Sequence, residues 1–129
     1  MATLATPIRS EAVYRDPSCV KVVGSWTGRA LYFSRSPIPC YRDRDRPPDG
    51  ATLALLHLGL YAYRRDFLLG LATLPPSPLE AAEKLEQLRV LEAGFPIALG
   101  IVEEPSIGID TPDDYRRFVE RWLSRPAGD

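Results

Sequence analysis

The stretch that decides the fold is LALLHLGLYAY, residues 53–63. It predicts the strongest strand of the chain. Side chains alternate between the two faces of a strand, so residues two apart share a face. One face is polar and places a histidine and two phenols around a glycine: His57, Gly59, Tyr61 and Tyr63. The other face is aliphatic, and we expect it to pack in the core: Leu56, Leu58, Leu60 and Ala62.

Upstream of this strand, turn residues divide the chain into short elements. The patterns predict an extended segment at 3–8, a helix at 11–14 after a cap at Ser10, and strands at 19–23 and 30–34 about a turn at 24–28. Four prolines then mark a long loop. Its charges alternate in sign over residues 42–46, which is typical of a solvated, self-neutralising linker.

Downstream, the chain predicts three helices and a strand. A helix at 65–74 ends before two prolines. Ser77, Pro78 and Glu80 have the spacing of a capping box, so a second helix should run over 78–93 and end at Gly94. Its apolar stripe comprises Ala81, Leu85, Leu88 and Leu91. A strand follows at 96–102, and a last helix begins after a cap at Thr111 and fades before Pro126.

The order of strands and helices makes the chain an α/β or α+β protein. Its 129 residues fit one domain, and 45% hydrophobic residues suffice for a core. A net charge of −1 gives no general attraction to nucleic acid or to anionic membranes, and the apolar run at 51–63 is too short to span a bilayer. We therefore expect neither nucleic acid nor membrane as a partner.

The reactive residue types form no familiar catalytic motif. Cys19 and Cys40 form no C-x-x-C pair, so a zinc site or disulfide framework is not expected and a reducing, cytosolic location is the default. The sequence contains no glycine-rich phosphate loop, and spacing nominates no partner for His57. Residue patterns alone therefore indicate polar residues in suggestive places and no reaction.

Four segments carry more specific motifs. ALYFSRSPIP occupies residues 30–39, and HLGLYAYR occupies residues 57–64. PSPLE at 76–80 is followed by LEQLR at 85–89, and GIDTPDD occupies residues 108–114. In these motifs and in their order, nearly the whole chain resembles 3-deoxy-manno-octulosonate cytidylyltransferase, also called CMP-Kdo synthetase.

The resemblance implies a C-terminal half. That family begins with a basic, glycine-containing nucleotide-binding loop and carries a QGDEP motif with a metal-binding aspartate, and neither occurs in this sequence. The implied fold is an α/β, nucleotidyltransferase-like mixed sheet flanked by helices, with the N-terminal nucleotide-binding strands missing. Residues 1–124 would form the sugar-binding and dimerisation half, and residues 125–129 a flexible tail.

The resemblance also implies a reaction. The family converts CTP and Kdo to CMP-Kdo and pyrophosphate for lipopolysaccharide biosynthesis, with Mg²⁺, as a cytoplasmic homodimer. We expect this chain alone to be inactive and to need a second copy or a complementing N-terminal half. Two alternatives stay open: a non-catalytic remnant that binds a sugar acid or dimerises, and a relative that activates another sugar acid.

The family pattern carries over to six positions, none assigned a catalytic role. The implied sugar-binding residues are Arg35, His57, Tyr61, Glu86 and Gln87, and Asp110 is the implied Mg²⁺ ligand. From the residues alone, five of the six have a plainer interpretation. Arg35 suits a surface charge, His57 a structural histidine, and Glu86 and Gln87 exposed helix positions. Asp110 suits a second capping acid.

Overall fold

The computed structural model describes residues 1–42, 51–103 and 112–123. Within them, the chain forms five strands, namely β1 (Ala2–Ile8), β2 (Lys21–Gly24), β3 (Ala30–Ser34), β4 (Ala54–Ala62) and β5 (Ala98–Ile101). It also forms five helices, namely α1 (Glu11–Arg15), α2 (Arg65–Leu71), α3 (Pro78–Glu83), α4 (Gln87–Glu92) and α5 (Pro112–Leu123). Each predicted element has a counterpart, although several bounds differ and the helix predicted over 78–93 is divided in two. The predicted tail at 125–129 lies outside the described residues.

The strands form one mixed sheet in the order β3-β2-β4-β1-β5. β1 pairs with β4 in antiparallel and with β5 in parallel orientation, and β2 pairs with β3 and β4 in antiparallel orientation. The predicted hairpin is β2–β3, with its turn between Gly24 and Ala30. The prediction of a mixed sheet flanked by helices is therefore confirmed.

The two edges of this sheet meet at the hairpin. Arg29 forms an isolated bridge with Ala98 of β5. The amide of Leu99 donates to the carbonyl of Gly28 at 2.8 Å, and Ala30 donates to Ile97 at 2.9 Å. These bonds cover the start of β5, which would otherwise be an open edge.

A bulge interrupts β4 opposite β1. Thr3 pairs with Tyr61 and Ala5 pairs with His57, so one residue of β1 faces three residues of β4. Gly59 lies inside the bulge with φ +70°, a left-handed conformation that glycine adopts at little cost. A Cβ at Gly59 would meet no atom within 4 Å, so the backbone angle and not the available space favours glycine there.

The core has two parts, one on each side of the sheet. The larger joins Ala5, Val22 and Phe33 of the sheet to the region of α4, and its buried members also include Ala30, Leu85, Leu88, Val90 and Ile97. The smaller lies beside α1 and comprises Ile8, Tyr14, Leu53 and Ala54.

The predicted division of β4 into a core face and a polar face is wrong in part. Leu56 packs against the smaller core cluster, but Leu60 on the same predicted face is 51% exposed. His57 lies on the other face, next to the fully buried Phe33. The reason is that the region of α4 covers the histidine face, so that face also contributes to the core.

The predicted continuous helix over 78–93 is also wrong. α3 ends at Glu83 because Lys84 adopts a left-handed conformation, with φ 57° and ψ 47°, and α4 begins at Gln87. No glycine or proline occurs at this break, so helix propensity did not predict it. After the break, Leu85, Leu88 and Val90 are buried, whereas Ala81 of the predicted stripe is exposed.

The predicted starts and ends of the helices are confirmed in part. The capping box at Ser77 and Glu80 is present with both of its hydrogen bonds, and Gly94 has the expected positive φ of 80°. Ser10 precedes α1 but makes no side-chain cap bond. α2 ends at Leu71, three residues earlier than predicted, and a turn leads on to the prolines.

Candidate functional site

His57 and Tyr61 form a cluster with Thr3 of the neighbouring strand. The ring centroids of His57 and Tyr61 lie 5.3 Å apart, and Phe33 lies edge-on to His57 at 5.0 Å. The hydroxyl of Thr3 lies 2.9 Å from Nε2 of His57 and donates to the carbonyl of Leu60 at 2.7 Å. Two predicted residues are therefore neighbours, and Thr3, which sequence patterns did not single out, holds the histidine.

The contacts of Thr3 decide which nitrogen of His57 carries the proton. A hydroxyl has one proton, and Thr3 donates it to Leu60, so Nε2–H of His57 must donate to Thr3. Burial lowers the pKa of His57 from 6.5 to about 4. The imidazole is therefore neutral at pH 7, with Nδ1 as its acceptor nitrogen. It is suited to hydrogen bonds with hydroxyl groups and not to attraction of an anion.

Two phenols continue this cluster toward α4. The rings of Tyr61 and Tyr63 lie 5.9 Å apart. Burial, followed by the neighbouring phenol and the charge of Glu86, raises the pKa of Tyr61, and burial and Glu86 also raise the pKa of Tyr63. Both phenols therefore keep their protons at neutral pH and act as hydrogen-bond donors. The effect of Glu86 on both also places its carboxylate near them.

Gln87 begins α4 and is almost completely enclosed, with 4% of its surface exposed. Its amide nitrogen Nε2 is buried and has no hydrogen-bond partner among the described residues. Burying a polar group without a partner costs about 1–3 kcal/mol. An unpaired donor of this kind is what a pocket for an oxygen-rich ligand requires, and the sequence interpretation of Gln87 as an exposed helix residue is wrong.

Arg35 follows β3 and is held by main-chain carbonyls. Its Nε donates to the carbonyl of Glu83 at 2.8 Å, and Nη1 donates to the carbonyl of Pro17 at 3.0 Å. Its backbone N–H donates to the carboxylate of Glu83 at 2.9 Å. The guanidinium is thus held in place by hydrogen bonds to two neutral carbonyl acceptors.

Arg89 makes the opposite kind of contact. Its Nε and Nη2 donate to the two carboxylate oxygens of Glu80 at 2.7 and 2.6 Å, and Nη1 donates to Leu74. This bidentate ion pair with Glu80 neutralises the charge of Arg89 within the protein. Arg89 is therefore a structural residue that joins α3 to α4.

The segment from Glu83 to Gln87 links the predicted residues. At one end, Glu83 holds Arg35, and at the other, Glu86 lies near Tyr61 and Tyr63. No hydrogen bond within the described residues joins Arg35 directly to the other four predicted residues. Glu83 is itself a matching position of the family motif, between PSPLE and LEQLR, but no local pattern indicated that it would face Arg35.

A separate pocket lies on α2 and contains none of the predicted residues. Phe67, Leu71, Leu74 and Phe95 form its apolar lining. The implied sugar-binding residues, called here the polar wall, do not line this pocket: Arg35, His57, Tyr61, Glu86 and Gln87.

The predicted metal ligand Asp110 lies outside the described residues. Within 1–42, 51–103 and 112–123, no group of three or more His, Cys, Asp or Glu side chains could hold a metal ion. In the same part of the chain, no helix combines the length and apolar character needed to cross a membrane.

Comparison with known proteins gives the family to which this chain belongs. A family described as Cytidylyltransferase matches residues 1–103. Because this match covers most of the chain, the chain belongs to the cytidylyltransferase family.

The curated relatives identify the branch of that family. The chain is 50% identical to 3-deoxy-manno-octulosonate cytidylyltransferase of Geobacter metallireducens, covering 97% of this chain and 51% of that protein. It is 51% identical to the protein of the same name from Xanthomonas oryzae pv. oryzae, covering 96% and 50%. The resemblance seen in the sequence motifs is confirmed, and the chain spans about half the length of these relatives.

A solved structure agrees in fold. It is that of a CMP:2-keto-3-deoxy-manno-octonic acid synthetase complexed with CTP, with a TM-score of 0.83 and 43% sequence identity. The match covers 95% of this chain and 48% of that one.

Proposed function

We propose that this chain is the sugar-binding part of a cytidylyltransferase that forms CMP-Kdo. In the proposed reaction, the anomeric hydroxyl of Kdo attacks the α-phosphate of CTP, and pyrophosphate leaves. The names of the relatives and the structural similarity support this reaction. The chain spans only about half of those proteins, so we assign it the sugar and not the whole nucleotide site.

The observation that carries this proposal is the unpaired, buried amide of Gln87, which follows Glu86 in the chain, the residue whose charge acts on Tyr61 and Tyr63. Tyr61 and Tyr63 keep their protons, and His57 is neutral with an acceptor nitrogen. Among the described residues, the guanidinium of Arg35 donates to the carbonyls of Glu83 and Pro17 and not to a carboxylate. A sugar acid carries hydroxyl groups and one carboxylate. The neutral side chains suit its hydroxyl groups, and the guanidinium of Arg35 suits its carboxylate.

Asp110 is the proposed contribution of this chain to a magnesium site. Its carboxylate oxygen suits a hard cation. When bound, Mg²⁺ would neutralise charge on the triphosphate. We propose that further ligands come from the substrate phosphates and from the half of the relatives' length that this chain does not span.

Activity measurements test the division between sugar and nucleotide sites. The purified 129-residue chain is expected to form no CMP-Kdo from CTP, Kdo and Mg²⁺. A full-length relative assayed in parallel provides the positive control. Turnover by the chain alone would contradict its assignment as an incomplete enzyme.

Binding measurements test the sugar assignment. We expect calorimetry to detect binding of Kdo to the chain at millimolar sugar, with competition from other sugar acids to define the preference. CTP titrated in the same way serves as the comparison ligand. No detectable heat with Kdo at these concentrations would contradict the proposal.

The exposed face of α5 supports a partner for this chain. Tyr115 and Phe118 are 59% and 43% exposed, and Leu123 is 77% exposed, so the helix presents an apolar stripe to solvent. We propose that a second copy or a complementing N-terminal half covers it. Sedimentation should show association, with Phe118→Ser weakening it, and a stable monomer at all concentrations would contradict the proposal.

We also propose a cytoplasmic location. Cys19 and Cys40 are both free thiols, which suits a reducing compartment. CTP, the proposed nucleotide, is a cytoplasmic metabolite. Cell fractionation with a tagged chain would test this, and recovery in an extracellular fraction would contradict it.

A further inference from the structure

The end of β3 is held by an unusual set of contacts around Arg35. The carboxylate of Glu83 accepts from the hydroxyl of Ser34 at 2.6 Å and from the backbone N–H of Arg35 at 2.9 Å. The carbonyl of the same Glu83 accepts from Nε of Arg35 at 2.8 Å. One residue at the end of α3 therefore holds both the main chain and the side chain of Arg35.

The carboxylate of Glu83 is suited to this task because it stays ionised. Burial acts to raise its pKa, but hydrogen bonds from Ser34 and Arg35 outweigh burial and leave the pKa below its usual value. A charged acceptor forms stronger hydrogen bonds than a neutral one.

Lys21 holds the same residue from β2. Its side chain is completely buried, and Nζ donates to the carbonyls of Arg35, Asp16 and Cys19 at 2.6, 2.8 and 2.5 Å. An ammonium group has three donors, and all three are used. The backbone carbonyl and the backbone N–H of Arg35 are therefore each held by a charged side chain, Lys21 and Glu83.

The guanidinium of Arg35 remains available for a ligand. Among the described residues, its hydrogen bonds come from Nε and Nη1 and end on carbonyls, so Nη2 is left to donate elsewhere. Arg89 differs because its fork is closed by both oxygens of Glu80. A guanidinium that is already oriented loses less entropy on binding a carboxylate.

We propose that Glu83 is a positioning residue that orients Arg35 to receive the carboxylate of the sugar acid. This inference rests on the proposed function, because it takes a sugar acid as the ligand. It also explains the helix break at Lys84, which ends α3 where Glu83 reaches β3 and lets the chain continue to Glu86 and Gln87.

The test compares two carboxylates of α3 in the 129-residue chain. Glu83→Gln weakens the hydrogen bonds that the residue 83 side chain accepts from Ser34 and Arg35. The matched control Glu80→Gln weakens instead the hydrogen bonds that the residue 80 side chain accepts from Ser77 and from Arg89. Each variant is titrated with Kdo and with an analogue whose carboxylate is reduced to an alcohol. The NMR signal of Arg35 Nε–H reports directly whether the side chain is held.

For Glu83→Gln, we expect affinity for Kdo to fall about tenfold, affinity for the reduced analogue to change less than about twofold, and the Arg35 Nε–H signal to broaden. Glu80→Gln should lower thermal stability and leave both affinities within about twofold of the wild type. Glu83→Ala, which removes both acceptor oxygens, should lose more affinity for Kdo than Glu83→Gln.

The outcomes separate the inference from the proposed function. Wild-type binding of Kdo with unchanged selectivity in Glu83→Gln would overturn the inference alone. Equal losses for Kdo and for the reduced analogue would also overturn it, because they indicate a general structural effect. No binding of Kdo to the wild-type chain would contradict the proposed function and the inference with it.

Discussion

The rings of His57 and Tyr61 lie 5.3 Å apart although four residue steps separate them along one strand. In a regular strand that spacing would be roughly 13 Å. The bulge at Gly59 takes up the difference, because the β1 partners of His57 and Tyr61 are Ala5 and Thr3, only two residues apart. The backbone of one glycine thus brings two predicted sugar-binding residues together.

Replacing Gly59 should therefore cost stability without any steric clash. Gly59→Ala forces a side chain into φ +70°, and we expect the free energy of unfolding in urea to fall by about 1–2 kcal/mol. Gly70→Ala is the matched control, since it places the same methyl group in open space on helix α2 and should stabilise by about 0.5–1 kcal/mol. Equal stability of Gly59→Ala and the wild type would contradict the left-handed conformation.

The neutral state of His57 makes stability depend on pH. Its pKa is about 4 in the folded chain against 6.5 as the ordinary value, so the unfolded chain binds the proton more readily. Stability should therefore rise as pH increases from about 4 to 6.5 and be lost as pH falls, by on the order of 3 kcal/mol.

His57→Gln provides the control for this pH dependence. Glutamine can still donate to Thr3 but does not titrate. The difference in unfolding free energy between wild type and variant, measured from pH 4 to 7, isolates the histidine from the carboxylates. Parallel curves for the two proteins would show that His57 has an ordinary pKa.

The break between α3 and α4 predicts whether glycine at residue 84 raises or lowers the free energy of unfolding relative to alanine. Lys84 has φ 57° and ψ 47°, a conformation that costs a non-glycine residue about 1–2 kcal/mol. We expect Lys84→Gly to be more stable than Lys84→Ala by about 1 kcal/mol in urea unfolding. A continuous helix through residue 84 would give the reverse order by about 1 kcal/mol.

Gln87 should show a conflict between stability and binding. Gln87→Leu removes the buried, unpaired Nε2, so the free energy of unfolding should hold or rise by up to about 1 kcal/mol. The same change should weaken Kdo binding about tenfold or more, measured by calorimetry. Loss of stability with unchanged binding would show that the amide serves the fold and not a ligand.

Local patterns in the sequence were enough for much of the fold. The alternating run at 53–63 predicted β4, the spacing of Ser77 and Glu80 predicted a capping box, and Gly94 predicted a helix end. Each of these depends on residues a few positions apart, so the information is present in a short window. The family motifs likewise nominated His57 and Tyr61, whose rings are neighbours in the fold.

Contacts between distant parts of the chain could not be obtained in this way. Glu83 and Ser34 are 49 positions apart, and Thr3 and His57 are 54 apart, so no local spacing relates them. The bulge at Gly59 and the break at Lys84 also depend on packing, since a glycine fits many strands and a lysine rarely ends a helix.

The sequence by itself determined the class of this protein, its strands and the residue types of its polar wall. Only the tertiary structure decided which of those residues meet, which arginine is held by carbonyls and which by a carboxylate, and which described amide is buried without a partner. The physical reason is that hydrogen bonding and burial depend on distances across the sheet. Those distances follow from a bulge and a helix break that local preferences do not require.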